Sequence, residues 1–260
     1  MYLPQLLSRA EKGEKLVALT CYDASFARLL ADNGVDILLV GDSLGMTVQG
    51  HATTLPVTLE QMVYHTEAVA RGAQERAFIV GDLPFGAYQQ SPQQAFASAA
   101  RLLAAGANMV KLEGGAVMVE TVRFMVERGI PVCAHLGLLP QSVNATGYRA
   151  QAREGETAAR LIEDAEDLES AGAQLLVLES IPAVLAEEVT QHLAIPTIGI
   201  GAGPHCNGQV LVLDDLLGLT DKPPRFAKDF MEGAWNLANA VRSYVASVKA
   251  GEFPGPEHSF

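Results

Sequence analysis

Eight short apolar runs recur along the chain, and most are apolar at every position rather than at alternate ones. They read as strands near 16–20 (LVALT), 35–41 (VDILLVG), 77–81 (AFIVG), 108–113 (NMVKLE), 131–135 (PVCAH), 174–179 (QLLVLE), 196–200 (PTIGI) and 209–213 (QVLVL). A strand with one wet face alternates; a parallel strand covered on both faces does not. Helical stretches separate most of these runs. That succession leaves two α/β architectures: a closed (β/α)8 barrel, which is the expectation, or a doubly wound open sheet. The segment GAGPHCNG, between the last two runs, is too short for a full helix.

The helices carry readable ends. Thr58-Leu59-Glu60-Gln61 and Ser91-Pro92-Gln93-Gln94 fit the capping box, in which a hydroxyl and an amide satisfy free N–H groups reciprocally. Gly34, Gly106 and Gly172 stand where helices should stop. DNGVDILLVGDS, AAGANMVKLEGG and SAGAQLLVLESI repeat one order: helix end, glycine, small residue, apolar strand, acid. This is the period of a β/α unit, not of a solenoid. A last helix is expected near 228–247, then an irregular tail from about Lys249. The whole, residues 1–260, reads as a single barrel domain.

Composition removes several function classes. A net charge of −12 argues against a nucleic-acid surface, which needs clustered Lys and Arg. No run approaches the roughly 20 apolar residues of a membrane span. The start, MYLPQLLSRAEKGEK, has no signal-peptide core, so a cytosolic location is expected. Cys21, Cys133 and Cys206 are sparse, without CxxC spacing, and read as free thiols.

The chemistry gathers at strand ends. Asp42, Asp82, Lys111 with Glu113, His135 and Glu179 all fall at the C-terminal ends of apolar runs. In a parallel barrel those ends open on one face, where such enzymes keep their sites. Any one of these acids could cap the following helix. Together they are costly to desolvate unless paired or bound to a cation. Oxygen donors from Asp42, Asp82 and Glu113 suit Mg²⁺, which takes one or two carboxylates and keeps water. Lys111 and Glu113 share a side by the two-residue period, so Lys111 either pairs with Glu113 or meets an anionic substrate. Glu179, ending LLVLE, has the apolar surroundings that suit a general base, or it caps the helix near Pro182. His135 either donates a hydrogen bond to a ligand oxygen or is a satisfied core histidine. Ser43, between Gly41 and Gly45, could bind an anion with neighbouring N–H groups. The run Gly199-Ile200-Gly201-Ala202-Gly203 is a weak phosphate-loop signal, or close packing at a barrel mouth. His205-Cys206 lacks the second pair a zinc site needs.

Longer stretches carry a resemblance: TCYDASFA (20–27), LLVGDSLGMTVQGHATTLPVT (38–58), YHTEAVARGA (64–73), GDLPFGAY (81–88), GANMVKLEGG (106–115), PVCAHLGLLPQSVN (131–144), AGAQLLVLESIP (171–182), IPTIGIGAG (195–203) and FPGPEHSF (253–260). In these the chain resembles the ketopantoate hydroxymethyltransferase family over almost its whole length. The resemblance implies a (β/α)8 barrel of the phosphoenolpyruvate/pyruvate superfamily. It implies transfer of a hydroxymethyl group from 5,10-methylenetetrahydrofolate to 3-methyl-2-oxobutanoate, giving 2-dehydropantoate for pantothenate synthesis. It implies Asp42, Asp82 and Glu113 as Mg²⁺ ligands, and Asp42, Ser43, Asp82 and Lys111 as substrate contacts. Glu179 is the implied proton acceptor and a homodecamer the implied assembly; His135 is expected to support the same pocket. In NATGYRAQAR (144–153) the chain departs from the family loop, which has an extra glycine, a lysine where Arg149 stands and a glycine where Ala152 stands. Two rivals remain: another lyase or mutase of the superfamily, though no KKCGH-type loop is present, and a non-catalytic metabolite-binding barrel.

Overall fold

In the computed structural model, which describes residues 1–147, 150–152 and 155–260, the eight apolar runs form eight parallel strands closed into a barrel. The first half of the chain runs α1 (Leu3–Glu11), β1 (Leu16–Thr20), α2 (Ala24–Asp32), β2 (Ile37–Val40), α3 (Leu44–Thr47), α4 (Leu59–Ala73), β3 (Phe78–Asp82) and α5 (Pro92–Ala104). It continues through β4 (Met109–Glu113), α6 (Val119–Val126), β5 (Val132–Gly137), α7 (Val143–Thr146), α8 (Gly155–Ser170) and β6 (Leu175–Glu179). The remainder is α9 (Ala183–His192), β7 (Thr197–Ile200), β8 (Gly208–Leu211), α10 (Leu213–Leu216) and α11 (Leu237–Ala250). Closure is made by β1 against β8, with Leu16 opposite Gly208 and Leu19 opposite Leu211. An open doubly wound sheet is thereby excluded. No helix joins β7 to β8, as the short GAGPHCNG segment requires.

The strands are buried along nearly their whole length, which is why they read as continuous rather than alternating. The barrel axis is lined by small and branched side chains, among them Ala18, Val80, Cys133, Val177 and Val210; among the described residues Lys111 is the one charged member of that lining. A lysine in a barrel core is expensive unless paired, so its surroundings already point to the site. Among the described residues no helix is long and apolar enough to cross a membrane.

Helix starts follow local chemistry. Thr58 and Gln61 close the expected box: Gln61 N–H donates to Thr58 Oγ1 at 3.3 Å and Thr58 N–H to Gln61 Oε1 at 2.8 Å. At Ser91 only half the box forms. Gln94 N–H donates to Ser91 Oγ, but Gln94 Oε1 turns to Gln90 N–H and its Nε2 to Gly86 O. Gly34, Gly106 and Gly172 take the positive φ of helix stops.

The last helix begins at Leu237 rather than 228. Asn236 is extended and its side chain caps Asn239 N–H, while Phe230 leaves the helical path to pack edge-on against Tyr244 and Phe253. Lys249 lies in the final turn of α11, so the tail starts at Gly251. That tail buries Phe253, forms a 3-10 turn over Pro256–His258, and returns Phe260 O to Ala183 N–H at the start of α9. Of the departures in segment 144–153, Arg149 lies outside the described residues; Ala152 has φ +53°.

Candidate active site

Sheet register does what strand order alone could not: it sets chemical groups side by side. Asp82 on β3 is the partner of Lys111 on β4, and Glu113 on β4 is the partner of His135 on β5. Glu179 is the partner of Gly137, two residues beyond His135. Asp82, Glu113 and Glu179 each end a strand. Asp42 stands two residues past β2, in the turn that leads to α3. All lie at the C-terminal mouth of the barrel, where the βα-loops meet.

The side chains form one contact network. Lys111 Nζ is 3.2 Å from Asp82 Oδ1 and 3.4 Å from His135 Nδ1. His135 Nδ1 is 3.5 Å from Glu113 Oε1, and its Nε2 is 3.2 Å from Glu179 Oε2. Asp42 N–H donates to Asp82 Oδ2 at 3.2 Å. Gln141, in a 3-10 turn after β5, donates its side-chain amide to Asp42 Oδ2 at 2.8 Å and its backbone N–H to Glu113 Oε2 at 3.0 Å. Asp42, Asp82, Lys111, Glu113 and His135 are 6 % exposed or less; Glu179 is more open.

Several expectations change. Lys111 pairs with Asp82, not Glu113, because the cross-strand neighbour is nearer than the same-strand one. Glu179 does not cap α9, whose start has no side-chain cap. Its surroundings are not apolar, since it faces His135. The N–H groups of Leu44 and Gly45, beside Ser43, are taken by Gly41 O and Asp42 O, so an anion at Ser43 would meet the hydroxyl rather than those donors. Ser43 Oγ lies 2.9 Å from the buried Tyr22 hydroxyl. Gly41 is needed for this approach: a Cβ there would sit 2.8 Å from Ser43 Oγ. The Gly199–Gly203 run is close packing, with Gly203 against Ala183 and Gly201 against Phe226 and Phe260. His205 is exposed and 3.8 Å from Glu187, while the adjacent Cys206 is buried.

Three members of the network escaped sequence reading: Gln141, Tyr88 and Tyr22. Gln141 and Tyr88 lie in the loops after β5 and β3, the face where chemistry was sought, but neither is ionised. That left loop position as the one available signal.

Burial and crowding set the protonation of the cluster. Burial, reinforced by Asp82 and Glu113, pushes the Asp42 carboxyl up to about 7. Burial also raises Asp82, against the pull of Lys111. For Lys111, burial favours the neutral form, but Asp82, Glu113 and Asp42 outweigh it and hold the ammonium. Glu113 is lowered, because His135, Lys111 and the Gln141 N–H together overcome its burial. His135 is raised: burial and Lys111 oppose its charge, but Glu113 and Glu179 prevail.

The donor set suits a hard divalent cation. Its acids outnumber its bases and the carboxylates of Asp42, Asp82 and Glu113 are buried, with Asp82 Oδ1 facing Lys111 Nζ at 3.2 Å. Among the described residues no three His, Cys, Asp or Glu side chains are arranged to hold an ion together.

Solved structures share the barrel. A 2,3-dimethylmalate lyase, described as a PEP mutase/isocitrate lyase superfamily member, matches with a TM-score of 0.56 at 18% identity over 80% of both chains. A phosphonopyruvate hydrolase in complex with oxalate and Mg²⁺ matches with a TM-score of 0.64 at 12% identity, over 97% of this chain and 96% of that one. At such identities the likeness shows the fold alone. Sequence comparison reaches further. The 3-methyl-2-oxobutanoate hydroxymethyltransferase of Thiobacillus denitrificans is 62% identical over 259 residues, 99% of this chain and 98% of the relative. The family model for ketopantoate hydroxymethyltransferase matches residues 1–256. With the strand-end acids gathered at one mouth and this match running through all of them, the chain belongs to the ketopantoate hydroxymethyltransferase family.

Proposed function

We propose that the chain transfers a hydroxymethyl group from 5,10-methylenetetrahydrofolate to 3-methyl-2-oxobutanoate, forming 2-dehydropantoate, with Mg²⁺ as its cofactor. The observation that carries the reading is the buried Asp42–Asp82–Glu113 group, with its excess of negative charge, beside the more open Glu179. Asp42, Asp82 and Glu113 would hold the cation, directly or through water. When bound, it draws electron density from the 2-oxo group and so acidifies the adjacent C–H.

The chain's own residues do the rest. Lys111 is kept charged by its acidic neighbours and offers a cation to the substrate carboxylate; Ser43 offers a hydroxyl steadied by Tyr22. Asp42 and Asp82 also contact the substrate in this reading. Glu179 takes the proton from C3; water opens the N–CH2–N bridge of the folate, releasing tetrahydrofolate and leaving the carbon at the formaldehyde level, and the C3 carbanion bonds to that carbon as its oxygen takes up a proton to become the new hydroxyl. His135 holds the Glu179 carboxylate from one side and Glu113 from the other. The working form is read as a cytosolic homo-oligomer, a decamer by family resemblance.

The test is formation of 2-dehydropantoate from the oxo acid and methylenetetrahydrofolate, with Mg²⁺ and after chelation. Product that forms at the same rate without divalent ions removes the metal. Absence of product in every condition, with the oxo acid still bound, would favour the metabolite-binding barrel. In Glu179→Gln, exchange of the C3 proton with deuterated solvent should vanish while the oxo acid still binds. Unchanged exchange removes Glu179 from its role.

A further inference from the structure

Gln141 ties together two carboxylates remote in sequence, Asp42 in the turn after β2 and Glu113 at the end of β4, and the geometry assigns it a positioning role. Its side-chain amide has only one self-consistent orientation. Nε2 faces two acceptors, Asp42 Oδ2 at 2.8 Å and Leu83 O at 3.0 Å. Oε1 faces two donors, the Tyr88 hydroxyl at 2.7 Å and Gln89 Nε2 at 3.1 Å. A flipped amide would set oxygen against both Asp42 and Leu83 O, so the neighbours decide which atom is which.

Tyr88 locks the other half. Its hydroxyl accepts from Glu113 N–H at 3.1 Å, and its single proton goes to the nearer partner, Gln141 Oε1. Gln141 N–H then returns to Glu113 Oε2 at 3.0 Å. The result is a closed circuit: Glu113 backbone to Tyr88, Tyr88 to the Gln141 side chain, and the Gln141 backbone to the Glu113 carboxylate. Asp42 hangs from the same amide. Gln141 and Tyr88 are both buried, so these bonds are shielded from competing water.

Such a circuit does two things to the acids. It holds the Asp42 and Glu113 carboxylates at a set spacing, though like charges would push them apart. It also occupies Asp42 Oδ2 and Glu113 Oε2, so the remaining oxygen of each group is the one presented elsewhere. We propose that Gln141 is a positioning residue that spaces Asp42 and Glu113 for the divalent cation, acting through those carboxylates rather than by touching the substrate. The proposal rests on the metal reading given under Proposed function.

The experiment is a calorimetric titration of the full-length protein with MgCl2, without substrates, comparing the unaltered chain and Gln141→Met. Methionine approximates the length and volume of glutamine, and the backbone N–H to Glu113 survives. The expected result is a Mg²⁺ Kd weakened by roughly 10-fold or more, the usual scale for losing a residue that orients metal ligands. Turnover should recover at high Mg²⁺, with KM for the oxo acid near its original value once the metal is saturating. A variant with unaltered Mg²⁺ affinity, whatever its melting temperature, overturns the proposal and leaves the metal reading standing. An unaltered chain that binds no Mg²⁺ overturns the metal reading and the proposal with it. Should the methionine variant not fold, Gln141→Asn, one methylene too short to reach Asp42, takes its place with the same outcomes.

Discussion

Glu179 Oε2 lies 3.2 Å from His135 Nε2, and the other ring nitrogen of that histidine is 3.5 Å from Glu113 Oε1. One imidazole therefore stands between the proposed proton acceptor and a proposed metal ligand. His135→Leu should slow C3-proton exchange by about 10–100-fold, because Glu179 loses the partner that aims it. The KM for the oxo acid should change much less. Exchange monitored by NMR in deuterated buffer reads the effect; an unchanged rate would show that Glu179 aims itself.

Lys111 is, among the described residues, the only lysine in the network, and it is wrapped by Asp82, Glu113 and Asp42. Replacement by methionine leaves buried carboxylates without their nearest cation. Breaking a buried pair from one side typically costs about 3–5 kcal/mol. Lys111→Met should lose that order of stability in urea at pH 8 and regain part of it at pH 5, where the acids can be protonated. A loss independent of pH would point to packing of the aliphatic stem instead.

The raised Asp42 carboxyl makes a signed prediction for the metal-free protein. An acid that ionises near 4 when unfolded but at about 7 when folded binds its proton more tightly in the folded state. Stability is then present below the unfolded value and falls as pH rises from about 4 to 7. Asp82 and His135, both raised, act in the same sense, while the lowered Glu113 acts in the opposite one, adding stability that is present above its unfolded value and lost as pH falls into the acid range. Mg²⁺ needs the ionised carboxylates, so protons compete with it. The rise in melting temperature on adding MgCl2 to chelator-treated protein should be larger at pH 8 than at pH 5.5. Asp42→Asn should flatten the metal-free slope. Equal metal-induced shifts at both pH values would separate Asp42 from the cation.

Interactions that are local leave a mark in the sequence, and those that join separate strands do not. The strands were legible because parallel packing leaves an unbroken apolar mark, as in ILLV and LLVLE. The charged strand ends were legible because buried acids are rare enough to stand out. The pairing of Lys111 with Asp82 was not, since it follows from a register between separate strands. Gln141 escaped for a related reason: an uncharged amide carries no mark of burial, and its partners come from three other strand ends or loops. The start of α11 is not legible locally, because Phe230 fits a helical pattern but is drawn away by Tyr244 and Phe253.

Backbone conformation beside Glu179 supplies a last prediction. Gly137 has φ +96°, and a Cβ there would lie 2.2 Å from Glu179 O, the carbonyl that accepts from Leu138 N–H. Gly137→Ala must therefore move the chain at Glu179 as well as adopt a left-handed geometry that costs about 1–2 kcal/mol for an L-residue. The opposite change is available nearby. Ala152 has φ +53°, and the adjacent Gln151 N–H donates to Ser180 O, so this segment is tied to the residue after Glu179. Ala152→Gly should stabilise the chain by up to about 1 kcal/mol, since glycine takes that conformation without steric penalty. Urea denaturation of both variants checks the pair. Gly137→Ala should be the less stable and lose C3-proton exchange, while Ala152→Gly gains stability and keeps it; a Gly137→Ala variant with full exchange would mean that the Glu179 backbone has room to yield.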